Sequence, residues 1–426
     1  MRLTGLKRII ASVLPRDYRV AARTFSRDAW RYLMVAALQS IGLGILGTVF
    51  AIYIKDAGMT EAVVGDVEGA LALAGAVTCL ALPPLVARVG YRRLMVIAAL
   101  ALGLSRLGQA FAPTAVVVVG LGLLYGIGDG AMQTLGIAFL SEAAPARALT
   151  HLFTIDYTLR VGSMFVGALL GGIIPAAVLA AGATETVGLR VAIAVAACSM
   201  LASAVPAMAI EHTHPADVST SYRAAIRGFT SWSRLVRLLI PEVLISFGAG
   251  LSIPFVALFL RHQLGATVGQ IGMIQAASSI GMAVAAFGSP WLARKLGHVG
   301  AVVAMELLSL PFLVAVPLAT GLPFAAVMLL FRGVLMNMSW PVYNQLSTAG
   351  IPPLERPLVV GWVRFGWAVA WLGGSVLGGR LMQHSYTLPW YLTGVFYAVG
   401  AAMTFILLRK VKIEVPVAPA VLESRP

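Results

Sequence analysis

Long apolar stretches recur along this chain from about Trp30 to Leu408, and they constrain its fold more than any other feature. Hydrophobic residues make up 59% of the 426 residues and charged residues only 11%. Soluble globular chains are about 25% charged. One water-soluble core cannot bury so much apolar surface, so the lipid bilayer must be the solvent for most of the chain. An ordinary cytosolic enzyme is thereby excluded.

Glycine, proline and charged residues divide these stretches into twelve predicted transmembrane helices, each near the ~20 residues that cross a hydrocarbon core. The first six are expected at about 29–54, 63–87, 92–111, 114–140, 150–175 and 188–210. Six more are expected at about 238–260, 268–292, 299–318, 322–347, 357–384 and 388–409. The predicted fold class is an all-α membrane protein with twelve transmembrane helices in two six-helix bundles.

The most polar internal stretch separates the two sets of helices and sets the predicted domain boundaries. These are an N-terminal segment at 1–28, a first bundle at 29–210, a central loop at 211–237, a second bundle at 238–409 and a tail at 410–426. The segment, loop and tail are all expected in the cytoplasm.

Basic residues set this orientation. Lysine and arginine outnumber aspartate and glutamate by 31 to 17, which gives a formal net charge of +14. Most of them lie before the first span, in the central loop, in the turns after spans two and eight, and after the last span. By the positive-inside rule both termini are cytoplasmic, and the expected location is the plasma (inner) membrane. The charge then reflects topology and attraction to anionic lipids, and nucleic acid is not an expected partner.

The two halves of the chain repeat one plan at an offset of about 207 residues. The matched segments are 41–44 with 247–250, 55–65 with 261–272, 83–90 with 290–297, and 167–172 with 374–379. Four landmarks in the same order indicate an internally duplicated six-helix unit, so the two bundles are pseudo-repeats.

Basic turns follow spans two and eight. Their characteristic residues are Arg88, Gly90, Arg92 and Arg93 in the first turn and Arg294, Lys295 and Gly297 in the second. Together with six-plus-six spans and a basic central loop, these turns resemble the major facilitator superfamily of secondary transporters, bacterial type, over nearly the whole chain. Pro83 and Ala87 stand where the family's turn usually has a glycine and an acid.

This resemblance implies two bundles that rock about a site near the membrane midplane and open alternately to each side. It implies a small-molecule substrate, protons as the coupling ion, membrane lipids as surroundings, a monomeric state, and neither enzymatic activity nor a cofactor. The basic turns are implied to form a cytoplasmic gating loop.

Small residues recur in spans five and eleven. They are Gly167, Gly171 and Gly172 in the first half and Gly374, Gly378 and Gly379 in the second. Such residues allow another helix backbone to approach closely. The first set also resembles a glycine pattern linked with proton antiporters, with Ser163 and Ala168 at its first glycine and its proline. Plain helix packing and an antiporter-specific gate both remain open.

Charged residues within spans are expensive, at least ~2.5–3.5 kcal/mol at a helix centre unless they are paired or wetted. Asp129 falls near the middle of span four. It is predicted either to take up a proton or a cationic substrate, or to form a static pair with Arg106 or Arg160. Asp156 and Arg160 lie four residues apart on span five and are expected to pair, in a structural or a coupling role.

The second half carries Glu306 on span nine, Arg332 on span ten and Arg364 on span eleven. The arginines are expected either to bind an anionic substrate or to counter Glu306. Asp66 and Glu68, two residues apart, are expected to line the outer vestibule rather than act together.

Uncharged side chains within the spans supply candidate cavity positions: Gln39, Gln133, Asn337, Trp340, Tyr343 and Trp367. Polar members of this set are alternatively interhelical hydrogen bonds, and aromatic members alternatively stack on a cation.

Neither a disulfide framework nor a metal site is expected. Cys79 and Cys198 both lie in apolar runs, and the His212 and His214 pair is a poor metal site without further ligands.

The leading interpretation is a secondary active transporter, proton-coupled and exporting small hydrophobic compounds or drugs. One alternative is an importer or facilitator of a small anionic metabolite bound by Arg332 and Arg364. Another is a non-transporting receptor or lipid-handling protein on the same scaffold.

Overall fold

A computed structural model describes residues 24–143, 146–211, 228–286, 288–348, 350–352 and 355–409. The tail at 410–426, most of the predicted N-terminal segment and most of the central loop lie outside the described residues, as do His212 and His214. The side chain of Arg147 is also not described.

Helices form nearly all of the described chain, and no strand occurs in it. Twelve of these helices are long and apolar enough to cross a membrane. In the first half they are α1 (Arg27–Asp56), α2 (Glu61–Val89), α3 (Tyr91–Ala110), α4 (Ala115–Glu142), α5 (Ala146–Ala180) and α6 (Glu185–Ala202). In the second half they are α7 (Trp232–Ser252), α8 (Val268–Ala286), α9 (Ser289–Ala315), α10 (Leu322–Thr348), α11 (Arg356–Met382) and α12 (Leu388–Leu408). The predicted fold class is confirmed.

Two boundaries differ from the sequence prediction because of proline and glycine. Pro254 lies in a short 3₁₀ turn, Ile253–Phe255, that divides the seventh span before the helix resumes at Val256–Leu264. Proline lacks the N–H that would continue the ladder. The eighth span, predicted to run unbroken to 292, ends at Ala286, and a new helix starts at Ser289 with Pro290 in its first turn.

Left-handed glycines mark equivalent turns in the two halves. Gly90, between α2 and α3, has φ 85°, and Gly297, within α9, has φ 70°. Gly58 and Gly265 form a second such pair, with φ 83° and 65°. Both pairs obey the 207-residue offset. The kink at Gly297 therefore corresponds to the turn between α2 and α3, so that residues 289–296 continue the eighth span in the repeat.

Two kinds of helix contact organise the molecule. Within the bundles, α1 packs on α5 and α7 packs on α11. Between the bundles, α2 packs on α11 and α5 packs on α8. We call the side on which α1 begins and α12 ends the terminal side, and the opposite side the distal side.

The glycines of α5 and α11 lie where these helices meet their neighbours. A Cβ atom on Gly167 would come within 2.1 Å of the Ile41 carbonyl oxygen, and one on Gly374 within 2.2 Å of the Phe247 carbonyl oxygen. Gly171 faces α1 and Gly378 faces α7 in the same way, whereas Gly172 meets α8 and Gly379 meets α2. Both helices thus contact one neighbour within their own bundle and one across the interface.

We expect Gly167→Ala to destabilise the protein, whereas Gly162→Ala on the same helix is tolerated. A Cβ on Gly162 meets nothing within 4 Å, so this control keeps the helix-propensity gain of about 1 kcal/mol without the clash. Overpacking against the Ile41 carbonyl costs about 1–3 kcal/mol because backbone atoms cannot move aside. Thermal unfolding in detergent measures the difference. Equal midpoints for the two variants would contradict the backbone contact.

Candidate functional site

Charged and polar side chains of the first bundle gather around Asp129 on α4. We call this set, made of Glu68, Arg106, Asp129 and Gln133, the first cluster. Gln133 Nε2 donates a 2.7 Å hydrogen bond to Asp129 Oδ2. Glu68 on α2 and Arg106 on α3 lie within electrostatic range of Asp129. Three helices therefore converge on one carboxyl group that is only half-buried.

Arg106 is a fixed positive charge of this cluster. Its side chain is 3% exposed, and its guanidinium carbon lies 4.3 Å from the centre of the Phe50 ring and 3.8 Å from that of Tyr125. Nη1 donates to Gln109 Oε1 at 2.8 Å. Aromatic faces thus compensate a cation that pairs with no carboxylate within 4 Å among the described residues.

Arg160 has other partners. Its Nε lies 2.8 Å from Asp156 Oδ2, and its Nη2 donates to the Tyr32 hydroxyl at 2.7 Å. Within the described chain, Asp129 forms no ion pair with Arg160 or with Arg106, so the static pair considered for Asp129 is not observed. The Asp129 carboxyl group is available for a proton or a cation.

A second cluster lies in the other bundle. Glu242 on α7 and Glu306 on α9 are 7% and 4% exposed, and both line a small cavity. The cavity wall also includes Trp340, Tyr343 and Trp367. The Tyr343 hydroxyl donates to the Leu238 carbonyl at 3.1 Å. Two carboxyl groups thus face an aromatic-lined space in the interior of this bundle.

The two arginines of the second half lie apart. Arg364 is exposed, and its guanidinium carbon lies 5.2 Å from the centre of the Trp340 ring, within electrostatic range of Glu242. Arg332 is 9% exposed and donates to the Tyr397 hydroxyl on α12 at 2.8 Å. Among the described residues neither forms an ion pair with Glu306. The two arginines thus engage different aromatic side chains, Arg332 that of Tyr397 and Arg364 that of Trp340.

The remaining candidates are hydrogen-bonded or stacked locally. Gln39 donates to Ser203 Oγ at 3.3 Å, and Asn337 donates to the Gly333 carbonyl of its own helix at 2.8 Å. Trp367 stacks on Trp371 with ring centres 4.9 Å apart. Gln39 thus links α1 to the residue that follows α6, whereas the Asn337 amide bonds within α10.

Two residues of these clusters were missed or placed elsewhere by sequence reasoning. Glu242 was missed, although it is the only acid in the apolar run 238–260 and the cost of charge in a span is the signal that would have identified it. Glu68 lies in the first cluster rather than along an outer vestibule, and the Trp371 indole of α11 lies within hydrogen-bonding reach of it. This contact joins the two bundles.

The distal side of the space between the bundles is closed. Asp66 on α2 and Arg380 on α11 form an ion pair at 3.0 Å, and a Cβ on Gly65 would come within 2.1 Å of the Ser375 carbonyl oxygen. A further ion pair at 2.7 Å joins Arg261 to Glu185 of the other bundle.

The basic turns lie on the terminal side. Arg88, Arg92, Arg93, Arg294 and Lys295 are all exposed, and none of them pairs with a carboxylate within 4 Å in the described chain. Lys295 Nζ lies 4.5 Å from the centre of the Trp291 ring. With Ala87 in place of an acid, the first turn has no carboxylate at that position for its arginines.

Comparison with known proteins places both halves of the chain in one family. The family model of the Major Facilitator Superfamily matches residues 32–240 and again 238–424. No curated protein matches the sequence closely enough to be considered a relative.

Solved structures of transporters share the fold. A bacterial homolog of the human lysosomal transporter Spinster, inward-facing and unoccupied, has a TM-score of 0.73 at 14% identity, with 93% of this chain and 98% of that chain covered. The nucleoside transporter NupG has a TM-score of 0.69 at 13% identity, with 91% and 100% covered. A D-xylose-proton symporter has a TM-score of 0.68 at 18% identity, with 90% and 99% covered.

The ion pair between Asp66 and Arg380 is expected to favour the conformation in which the distal ends of α2 and α11 are in contact. We expect Asp66→Arg to increase the population in which the distal ends of α2 and α11 separate, because like charges then face each other across the interface. Exposed pairs contribute about 0.2–1 kcal/mol, which is enough to shift a balanced equilibrium. The exchanged variant with Asp66→Arg and Arg380→Asp is expected to restore closure.

Spin labels at Thr60 and Gln383, both exposed, report this separation by pulsed electron paramagnetic resonance once Cys79 and Cys198 have been replaced. Identical distance distributions for the wild type and both variants would show that the pair has no part in closure.

Proposed function

This chain belongs to the major facilitator superfamily, and we propose that it is a secondary active transporter that exports small hydrophobic compounds in exchange for protons. Family membership supports transport by alternating access, in which two bundles expose a central site to one side of the membrane at a time. The pseudo-repeated contacts of α2 with α11 and of α5 with α8 supply the two interfaces along which such bundles rock.

The proposal of proton coupling depends on the partners of Asp129. Its carboxyl group accepts a hydrogen bond from Gln133 of its own helix but pairs with no arginine within 4 Å in the described chain. A carboxyl group in this situation changes its charge without first breaking a salt bridge. Arg106 is held between two aromatic rings and lies within electrostatic range of Asp129 without pairing with it.

The coupling cycle follows from this arrangement. Asp129 takes up a proton from one side and releases it to the other after the bundles have rocked, and each 100 mV of membrane potential supplies about 2.3 kcal/mol per charge moved. The neutral Asp129 carboxyl group is cheaper to enclose in hydrocarbon than the ionised one, so protonation and closure of the site favour each other.

Aromatic side chains where the two bundles meet support the proposal that the substrates are hydrophobic. The Trp367 and Trp371 stack, with Phe365 beside it, meets α2 of the other bundle in an apolar contact. The solved relatives bear names that include nucleosides and D-xylose as substrates, and one of them is a proton symporter. At 13–18% identity they support the fold and the feasibility of proton coupling. The substrate class is argued from the aromatic contact of Trp367 and Trp371, and export from the antiporter-like glycine pattern of α5.

We expect Asp129→Asn to abolish proton-coupled transport and leave the protein folded, because the amide keeps the shape and the Gln133 contact but cannot exchange a proton. In sealed vesicles with an imposed pH gradient, collapse of the gradient on adding a transported compound is expected for the wild type and is expected to be lost in the variant. Glu211→Gln is the matched control, since the Glu211 side chain is 76% exposed and lies outside both clusters. Full gradient-driven transport by Asp129→Asn would remove Asp129 from the mechanism.

A further inference from the structure

The cavity of the second bundle has no role in the coupling described above. Glu242, Glu306, Trp340, Tyr343 and Trp367 all contribute to its wall. The lining is completed by Ile245, Met336 and Ser339. Acidic groups surrounded by aromatic and sulfur-containing side chains form a surface that suits a positively charged group with an apolar body.

The side chains of this cavity do not supply Glu306 with all the partners that a buried carboxyl group needs. Its side chain is 4% exposed, and its Oε2 atom has no hydrogen-bond partner among the described residues. Glu242 is the ionisable group within electrostatic range of it. Two carboxyl groups so placed cannot both ionise in a low-dielectric interior unless a cation accompanies them; without one, at least one of them keeps its proton.

Among the residues that the structure describes, no basic side chain acts as the counter-ion of Glu306. Arg364 on α11 is within electrostatic range of Glu242 and lies over Trp340 at 5.2 Å. Tyr343 on α10 directs its hydroxyl group to the Leu238 carbonyl, and Arg332 binds Tyr397. Two cations of the described chain therefore lie near the cavity. Arg364 is an exposed guanidinium resting on an aromatic ring at its edge, and Arg234 on α7 lies within electrostatic range of Tyr343 but donates to the Leu346 carbonyl at 2.9 Å.

We propose that this cavity binds the ammonium group of an amphiphilic amine, with Glu306 and Glu242 as its counter-ions, and that Arg364 on Trp340 occupies the aromatic edge until the amine replaces it. The proposal rests on the proposed transport function and narrows its substrates from small hydrophobic compounds to protonated amines. The cavity has room for a group of about the size of a water molecule, which an ammonium group matches. The apolar body of the amine is then left against Trp367 and the space between the bundles.

The change in ligand affinity on removal of Arg364 distinguishes an amine site from an anion site. If Arg364 occupies the place of the ligand, its removal frees Trp340 and leaves Glu242 without this cation, so that an amine binds more tightly. If Arg364 instead recognises an anion, its removal weakens binding. One substitution therefore moves affinity in opposite directions under the two hypotheses.

The experiment is equilibrium dialysis of the purified full chain in detergent with three matched probes: labelled 2-phenylethylamine, 2-phenylethanol and 3-phenylpropanoate. These share a ring and differ in carrying a positive, a neutral or a negative group at neutral pH. We expect the amine to bind more tightly than either of the others. Glu306→Gln and Glu242→Gln are each expected to weaken amine binding at least tenfold, and Arg364→Gln is expected to strengthen it severalfold.

Two controls carry the same charge changes away from the cavity. Glu211→Gln removes an exposed carboxylate, and Arg190→Gln removes an exposed guanidinium near the distal end of α6. Both are expected to keep the wild-type affinity. Thermal unfolding confirms that each variant is folded, and if Glu306→Gln is not, Glu242→Gln and Arg364→Gln test the same cavity independently.

Unchanged amine affinity in folded Glu306→Gln and Glu242→Gln would overturn the proposal and leave a proton as the only cation held there. Preferred binding of 3-phenylpropanoate, weakened by Arg364→Gln, would overturn it in favour of an anion site. Binding in detergent needs no proton gradient, so Asp129→Asn is expected to keep amine binding even where gradient-driven transport is lost. Failure of the coupling mechanism and failure of the amine site are thereby distinguished.

Discussion

Close approach of helix backbones at the glycines of α5 and α11 underlies the rest of this structure. Lipid tails are as apolar as the helices they surround, so packing between helices in a membrane depends on contact rather than on escape from water. Gly167 and Gly374 bring α5 onto α1 and α11 onto α7, and Gly172 and Gly379 bring the same two helices against the opposite bundle. One helix of each bundle thus belongs to two interfaces, and any rocking of the bundles has to pass through these shared surfaces.

The low dielectric of the membrane interior makes an uncompensated charge costly, and the buried charges fall into two groups. Asp156 with Arg160, Arg332 with Tyr397, and Arg106 between Phe50 and Tyr125 are compensated where they lie. Asp129 and Glu306 form no ion pair in the described chain: Asp129 accepts a hydrogen bond from an amide of its own helix, and one oxygen of Glu306 has no partner there. Both residues to which an exchange of a proton or a ligand is assigned in the proposals belong to the second group.

Sequence reasoning reached the fold because hydrophobic length and repeated glycines are properties of a helix as a whole. The turn at Gly90 and its counterpart Gly297, for instance, follow from a repeat that is visible in the printed sequence. Site residues were harder to place, since spans that are apolar all round do not reveal which face meets a neighbour. Glu68 and Asp66 illustrate this, because two positions on one helix lead to Arg106 in the interior and to Arg380 across the interface. The cost of a charged side chain within a span, which identified Glu306, would also have identified Glu242.

The 207-residue register has a consequence for how the halves have diverged. Read through that offset, the glycines of α5 fall on the glycines of α11, yet Asp129 falls on Met336 and Ala99 on Glu306. The two halves therefore share their packing glycines but differ in the positions of their buried carboxyl groups. Under the two proposals made above, the half that carries Asp129 couples transport to protons and the half that carries Glu306 selects the substrate.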